Sequence, residues 1–213
     1  MDVPEVIHAD EYLIVFNKPT GLLSVPGIGP QKADCLVARA QHSFPGCRIV
    51  HRLDRDTSGV IVLARDAQSH RSLSIQFQER EVAKGYEALV LGEPELDEGD
   101  IDAAIRKDLD HPPRQCVDPV QGRPSQTHWR VVERCGDHAR LALTPRTGRS
   151  HQLRLHLKHI GHPILGDDLY APSEALAMSD RLCLHATSLA FVHPATGQKV
   201  AFTSPATLVS IRR

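Results

Sequence analysis

The chain is poor in aromatic side chains, with nine Phe, Tyr and Trp residues making up 4% of its 213 positions. That scarcity argues against a nucleic-acid module that stacks successive bases on a row of rings. Cysteine is sparse and unpaired. Cys35, Cys47, Cys116, Cys135 and Cys183 are odd in number and contain no C-x-x-C spacing, which excludes a disulfide framework and a zinc ribbon. They read as small core residues of a reducing compartment. No apolar run is longer than Val60–Ala64, far short of the roughly 20 residues of a membrane span. The opening Met1-Asp2-Val3-Pro4 carries no secretory leader pattern. The expectation is a cytoplasmic chain with no membrane partner.

Net charge is nearly absent too, at −1 from 25 Lys and Arg against 26 Asp and Glu. The balance hides a segregation. Residues 93–102 hold six acids and no base, whereas residues 103–160 hold eleven Lys or Arg against five acids, plus six of the thirteen histidines. A basic surplus of this kind is either a solvated face or a surface that follows phosphates, and composition leaves both open.

What is present reads as a mixture of strands and single helices. Tyr12–Phe16, Gly59–Ala64 and Tyr86–Leu91 are β-branched and apolar, as buried strands are. Residues 19–30, with three Pro and three Gly, are a loop. A short helix is expected over Asp34–His42, and a longer one over Ala67–Arg80 with Asp66 as its N-cap. Residues 93–124 look like an excursion of loops and short strands. Thr127–Glu133 and Ala139–Pro145 pair around Cys135-Gly136-Asp137. Ser150–Ile160 is the clearest helix, striped by Leu153, Leu157 and Ile160 and stopped by Gly161 and Pro163. Leu182–Val192 and Lys199–Thr203 supply two more strands. The pattern is α+β, without repeats.

Two polar clusters stand out. His51-Arg52-Leu53-Asp54-Arg55-Asp56-Thr57-Ser58-Gly59 sets a carboxylate between two arginines, which favours its ionised form. An ionised Asp in a cleft serves as a nucleophile or electrostatic stabiliser. The bland reading is a polar turn capping the strand. Asp54 with Asp56 also raises glycosidase chemistry, but neighbours on one backbone lie too close to flank a sugar. The second cluster, Arg146-Thr147-Gly148-Arg149-Ser150-His151-Gln152-Leu153-Arg154, precedes and enters a helix. It fits an anion site at the helix N-terminus and a structural cap equally well. His151, His156, His159 and His162 lack a carboxylate or cysteine to complete a metal set, so no metal is expected.

The strings themselves resemble a known family. HRLDRDTSG (51–59), KGYEA (84–88), TGRSHQLRLH (147–156), GHPILGDDLY (161–170), LCLHA (182–186) and NKPTGLLSVPG (17–27) are similar, in order and spacing, to motifs of the RluA family of pseudouridine synthases. The resemblance runs from about Tyr12 to Pro205. It implies the pseudouridine synthase fold, an α+β architecture with a mixed, mainly antiparallel sheet, flanking helices and a central catalytic cleft. It also implies a uridine isomerase acting on structured RNA, such as 23S rRNA and a tRNA anticodon stem-loop, with no cofactor, no metal and no DNA partner. The family's essential aspartate falls on Asp54, its active-site tyrosine on Tyr86 and its basic partner on Arg154, which is expected in ion-pair reach of Asp54. The RNA contacts expected are Arg52, Arg55, Arg106, Lys107, Arg114, Arg123, Arg149 and His151. Residues 1–213 are expected to form one monomeric catalytic domain, without the extra N-terminal RNA-binding domain of some relatives. The competing reading is an RNA-binding or ribosome assembly factor of the same fold that has lost activity.

Overall fold

The computed structural model describes residues 2–208, in two compact units. One comprises residues 2–84 with Ala186–Ala206, the other Gly85–His185 with the described residues from Thr207. The first unit opens with β1 (Val6–Ala9), β2 (Leu13–Lys18), α1 (Leu36–Ser43), β3 (Arg48–Ile49), β4 (Ser58–Ala64) and α2 (Ala67–Gln78). The second carries β5 (Ala83–Leu91), β6 (Glu98–Asp102), β7 (Ile105–Lys107), β8 (Gln115–Val117), β9 (Gln126–Arg134), β10 (His138–Pro145), α3 (Gln152–His159) and α4 (Ser173–Ala177). The chain then returns to the first unit with β11 (Leu184–Val192) and β12 (Lys199–Thr203). No helix among the described residues is long and apolar enough to cross a membrane.

In the first unit the strand order is β1-β2-β4-β11-β12, with β3 also on β4. All seven residues of β4 are buried. Val60, Val62 and Ala64 pack with Leu73 of α2 and with Leu13, Val15, Leu189 and Phe191. The intervening Ile61 and Leu63 are also fully buried, so both faces of the strand are covered and its sequence shows no polar alternation. Gly59 has φ +112°, and a Cβ there would lie 2.1 Å from the carbonyl oxygen of Ala186. Glycine is required because β11 approaches the start of β4 that closely. Asp66 caps α2 as expected, accepting from the backbone N–H groups of Gln68 (2.7 Å) and Ser69 (2.8 Å), an arrangement worth about 1 kcal/mol.

In the second unit β5-β10-β9-β6 form a run of antiparallel neighbours. The hairpin expected around residues 135–137 is β9–β10. The acid-rich segment becomes β6 along β9, where bases of the same unit answer it: Asp97 with Arg134 (2.8 Å) and Asp100 with His128 (3.3 Å) and Arg146 (3.4 Å). Inside the excursion, β7 and β8 make a small hairpin. Its Ile105 and Val117 pack with Leu155 of α3, Leu169 and Tyr170. The expectation of core cysteines holds for Cys35, Cys47 and Cys183; Cys116 is half-buried, and Cys135, at the hairpin turn, is exposed.

Candidate functional site

In the first unit the chemistry-bearing loop is residues 52–57, pinned by side chains from the Pro- and Gly-rich loop and from the end of β2. Lys18, fully buried at the end of β2, donates Nζ hydrogen bonds to the carbonyls of Pro19 (2.9 Å), Leu22 (2.7 Å) and Arg55 (2.9 Å). The Ser24 hydroxyl donates to the Leu53 carbonyl (2.7 Å) and accepts from the Leu53 N–H (3.1 Å). Thr20 Oγ1 donates to the Asp56 carbonyl (2.8 Å). The loop backbone on both sides of Asp54 is therefore anchored without using the Asp54 side chain. Among the described residues that carboxylate has no hydrogen bond or ion pair. Arg55 instead forks onto its neighbour Asp56, with contacts of 2.9–3.1 Å. This occupies the second carboxylate that the glycosidase reading would need.

The histidine that opens the motif is structural. The His51 ring stacks on Phe77 at 4.4 Å, and its Nε2 accepts from the Val62 N–H at 3.2 Å. Burial, with a smaller contribution from the Lys84 charge, pushes its pKa down to about 3, so it stays neutral with the proton on Nδ1. Burial likewise lowers the pKa of Lys84, with the Arg80 charge adding to it.

In the second unit, Tyr86 lies half-buried on β5 opposite Leu143 of β10. Arg154, on α3, is 3% exposed. Its Nε meets Asp167 Oδ2 at 2.8 Å, and its Nη2 meets Asp167 Oδ1 at 2.5 Å and Asp168 Oδ1 at 2.9 Å. Asp167 is 1% exposed, and its Oδ1 also accepts from the N–H groups of Leu169 (2.9 Å) and Tyr170 (3.0 Å). The Tyr170 ring lies beneath the guanidinium at 5.3 Å. A bidentate, hydrogen-bonded pair of this kind compensates the desolvation of both charges. Within its own unit Arg154 therefore has Asp167 and Asp168 as ion-pair partners. GHPILGDDLY carried both aspartates in plain view. Two acids thirteen and fourteen residues beyond an arginine flanked by leucines in a helix were the available signal.

The junction before α3 is a cap more than an open anion site. Gln152 Oε1 accepts from the Arg149 N–H (3.0 Å) and the Thr147 hydroxyl (2.8 Å). Its Nε2 donates to the Gln126 carbonyl (2.9 Å) and Thr127 Oγ1 (3.0 Å), tying the helix start to β9. His151 adopts φ +55°, so α3 begins at Gln152 instead of Ser150. Three of the four clustered histidines take separate partners: His151 the Tyr170 hydroxyl, His156 Thr127 and the Ala103 carbonyl, His162 the Leu91 carbonyl. Burial lowers the pKa of His156.

Of the basic residues singled out for RNA, Arg52, Arg55, Lys107, Arg114 and Arg123 are exposed, while Arg106, Arg149 and His151 are half-buried. Arg106 is engaged at the base of the β7–β8 hairpin, 2.6 Å from Asp118. The Arg106 hydrogen bond leads the causes that lower the Asp118 pKa to about 2.

Comparison with known proteins matches residues 12–159 to the RNA pseudouridylate synthase family. The dual-specificity RNA pseudouridine synthase RluA of Pasteurella multocida is 46% identical over 94% of this chain and 92% of its own. RluA of Escherichia coli K12 is 47% identical over the same shares. Among solved structures, human RNA pseudouridylate synthase domain containing 1 superposes with a TM-score of 0.79 and 28% identity, over 94% of this chain and 82% of that one. Human domain containing 4 gives 0.75 and 26%, over 95% and 88%.

Proposed function

The chain belongs to the RNA pseudouridylate synthase family and isomerises uridine to pseudouridine in RNA, and from that premise we propose which residues perform the reaction and on what RNA. The substrates are structured stem-loops of 23S rRNA and tRNA, in keeping with the dual specificity named for the RluA relatives. The chain works in the cytoplasm as a monomer, residues 1–213 serving as one catalytic domain. The target uridine leaves the stack for the reaction. The bond from ribose C1′ to N1 breaks, the uracil turns, and C1′ bonds to C5. N1 gains a proton and C5 releases one.

Asp54 is the carboxylate that attacks C1′ or takes a ribose proton, Tyr86 lies against the base, and Arg154 is the basic partner. The observation that carries this reading is the loop 52–57. Its backbone is fixed by Lys18, Thr20 and Ser24, while the Asp54 carboxylate takes no partner among the described residues. A carboxylate held in place by its backbone, with its oxygens left unengaged, suits a reacting group. Arg52, Arg55, Lys107, Arg114, Arg123, Arg149 and His151 contribute phosphate contacts. Arg106 acts through its hold on Asp118. RNA carrying tritium at uracil C5 tests the activity, because isomerisation releases the label while the RNA stays intact. An assembly factor that only bound RNA would retain it.

Tyr86→Phe keeps the ring and removes the hydroxyl. If that hydroxyl moves a proton, turnover falls at least about tenfold, roughly 1.4 kcal/mol of barrier, with RNA affinity little changed. Single-turnover tritium release measures it, and an unchanged rate would leave Tyr86 with a stacking role alone.

A further inference from the structure

On the second unit, between β8 and α3, lies a cavity of about 280 Å³ whose lining includes Arg114, Gln115, Lys158, His159 and Tyr170. We propose that it seats a backbone phosphate of the substrate RNA, with the adjoining ribose on its floor. The proposal rests on the reading above that the substrate is structured RNA, and it adds a subsite built by Lys158 and His159.

The helix spacing creates the seat. Leu155, Lys158 and His159 stand at i, i+3 and i+4, so they share one face of α3. Leu155 and Tyr170 are buried and, with Val117 of β8, make an apolar floor. The Tyr170 hydroxyl accepts from the Gln115 N–H at 2.8 Å, fixing β8 against that floor. Lys158 Nζ stands 5.9 Å from the centroid of the Tyr170 ring, which holds one cation at the rim while leaving it exposed. Arg114 and His159 are exposed beside it.

The one carboxylate in the lining, Asp108, is turned to its own loop. Its Oδ1 accepts from the N–H groups of Asp110 (3.1 Å) and His111 (3.3 Å), and its Oδ2 lies 3.2 Å from His111 Nδ1. The rim is therefore cationic toward the opening. The volume falls below the roughly 300–1,000 Å³ usual for small-molecule sites. Cations at an exposed rim above a small apolar floor suit a phosphate and sugar of a polymer, with the rest of the ligand outside.

The test is the double substitution Lys158→Gln with His159→Gln, both at exposed positions, and separately Arg114→Gln. Affinity for a substrate stem-loop is measured against salt, with KM and kcat from tritium release and a thermal melt for folding. Each variant is expected to weaken RNA binding about tenfold, to flatten the slope of log affinity against log salt by about 0.7 per lost phosphate contact, and to place the loss in KM. An unchanged affinity and slope in folded variants overturns the seat, as does a loss confined to kcat. If inorganic phosphate binds the wild type, seen by phosphorus NMR, and loses binding in the variants while the RNA slope stays fixed, the cavity serves free anions and the proposal fails. Wild-type tritium release separates these failures from failure of the function itself, since without release and RNA binding both readings fall together.

Discussion

Asp54→Asn is expected to lower turnover by at least about a thousandfold, roughly 4 kcal/mol of transition-state stabilisation, because an amide neither attacks a sugar carbon nor accepts its proton. Fold and RNA affinity should persist. The backbone bonds that hold the loop come from Lys18, Thr20 and Ser24, and the turn bond runs from the Thr57 N–H to the Asp54 carbonyl. None uses the side chain being changed, so the melting midpoint and the RNA dissociation constant should match the wild type. Tritium release over many turnovers, with deamidation excluded by mass spectrometry, is the measurement. Sustained turnover by the Asn variant would remove Asp54 from the reaction.

The second large effect concerns the buried pair of Arg154 and Asp167 beside Tyr170. Asp167→Ala deletes both fork contacts to Arg154 and the acceptor for the Leu169 and Tyr170 N–H groups. Removing one partner of a buried ion pair costs about 3–5 kcal/mol. The low end applies here, because Asp168 still faces Arg154, though it is 52% exposed. About 3 kcal/mol corresponds to roughly 6–12 °C in Tm for a chain of this length. Replacing both partners, Arg154→Met with Asp167→Asn, should recover most of that stability, since no charge is then left buried and the Asn carbonyl oxygen can still accept from the Leu169 and Tyr170 N–H groups. With Arg154 as the proposed basic partner of the reaction, turnover should stay lost. Calorimetry and tritium release on both variants separate the roles. An active double variant would leave Arg154 a structural residue, and a wild-type melt for Asp167→Ala would show that the pair adds no stability.

Short-range features were legible in the sequence. The apolar periodicity of Gly59–Ala64, the Asp66 cap, the turn at Cys135-Gly136-Asp137 and the stop at Gly161 all depend on residues a few positions apart, and each has its element in the structure. Motif strings nominated Asp54, Tyr86 and Arg154 for the proposed reacting set, because residue type and spacing are properties of the chain itself. The sequence also showed a basic excess in residues 103–160, but not which bases are engaged.

Partner choice was decided by the tertiary structure. Arg55 faces Asp56 and not Asp54, Arg106 is held by Asp118, and Arg154 is clasped by Asp167. Lys18 closes on a carbonyl thirty-seven positions away. Cys135, at the turn between β9 and β10, is exposed, whereas three other cysteines are buried. The physical reason is common to these cases. An ion pair or hydrogen bond forms between groups that the folded backbone brings within about 3 Å, and many carboxylates and carbonyls in one sequence satisfy the same charge rule. Composition and spacing determined which groups were present and what chemistry they could do; only the packing of distant segments determined which of them meet.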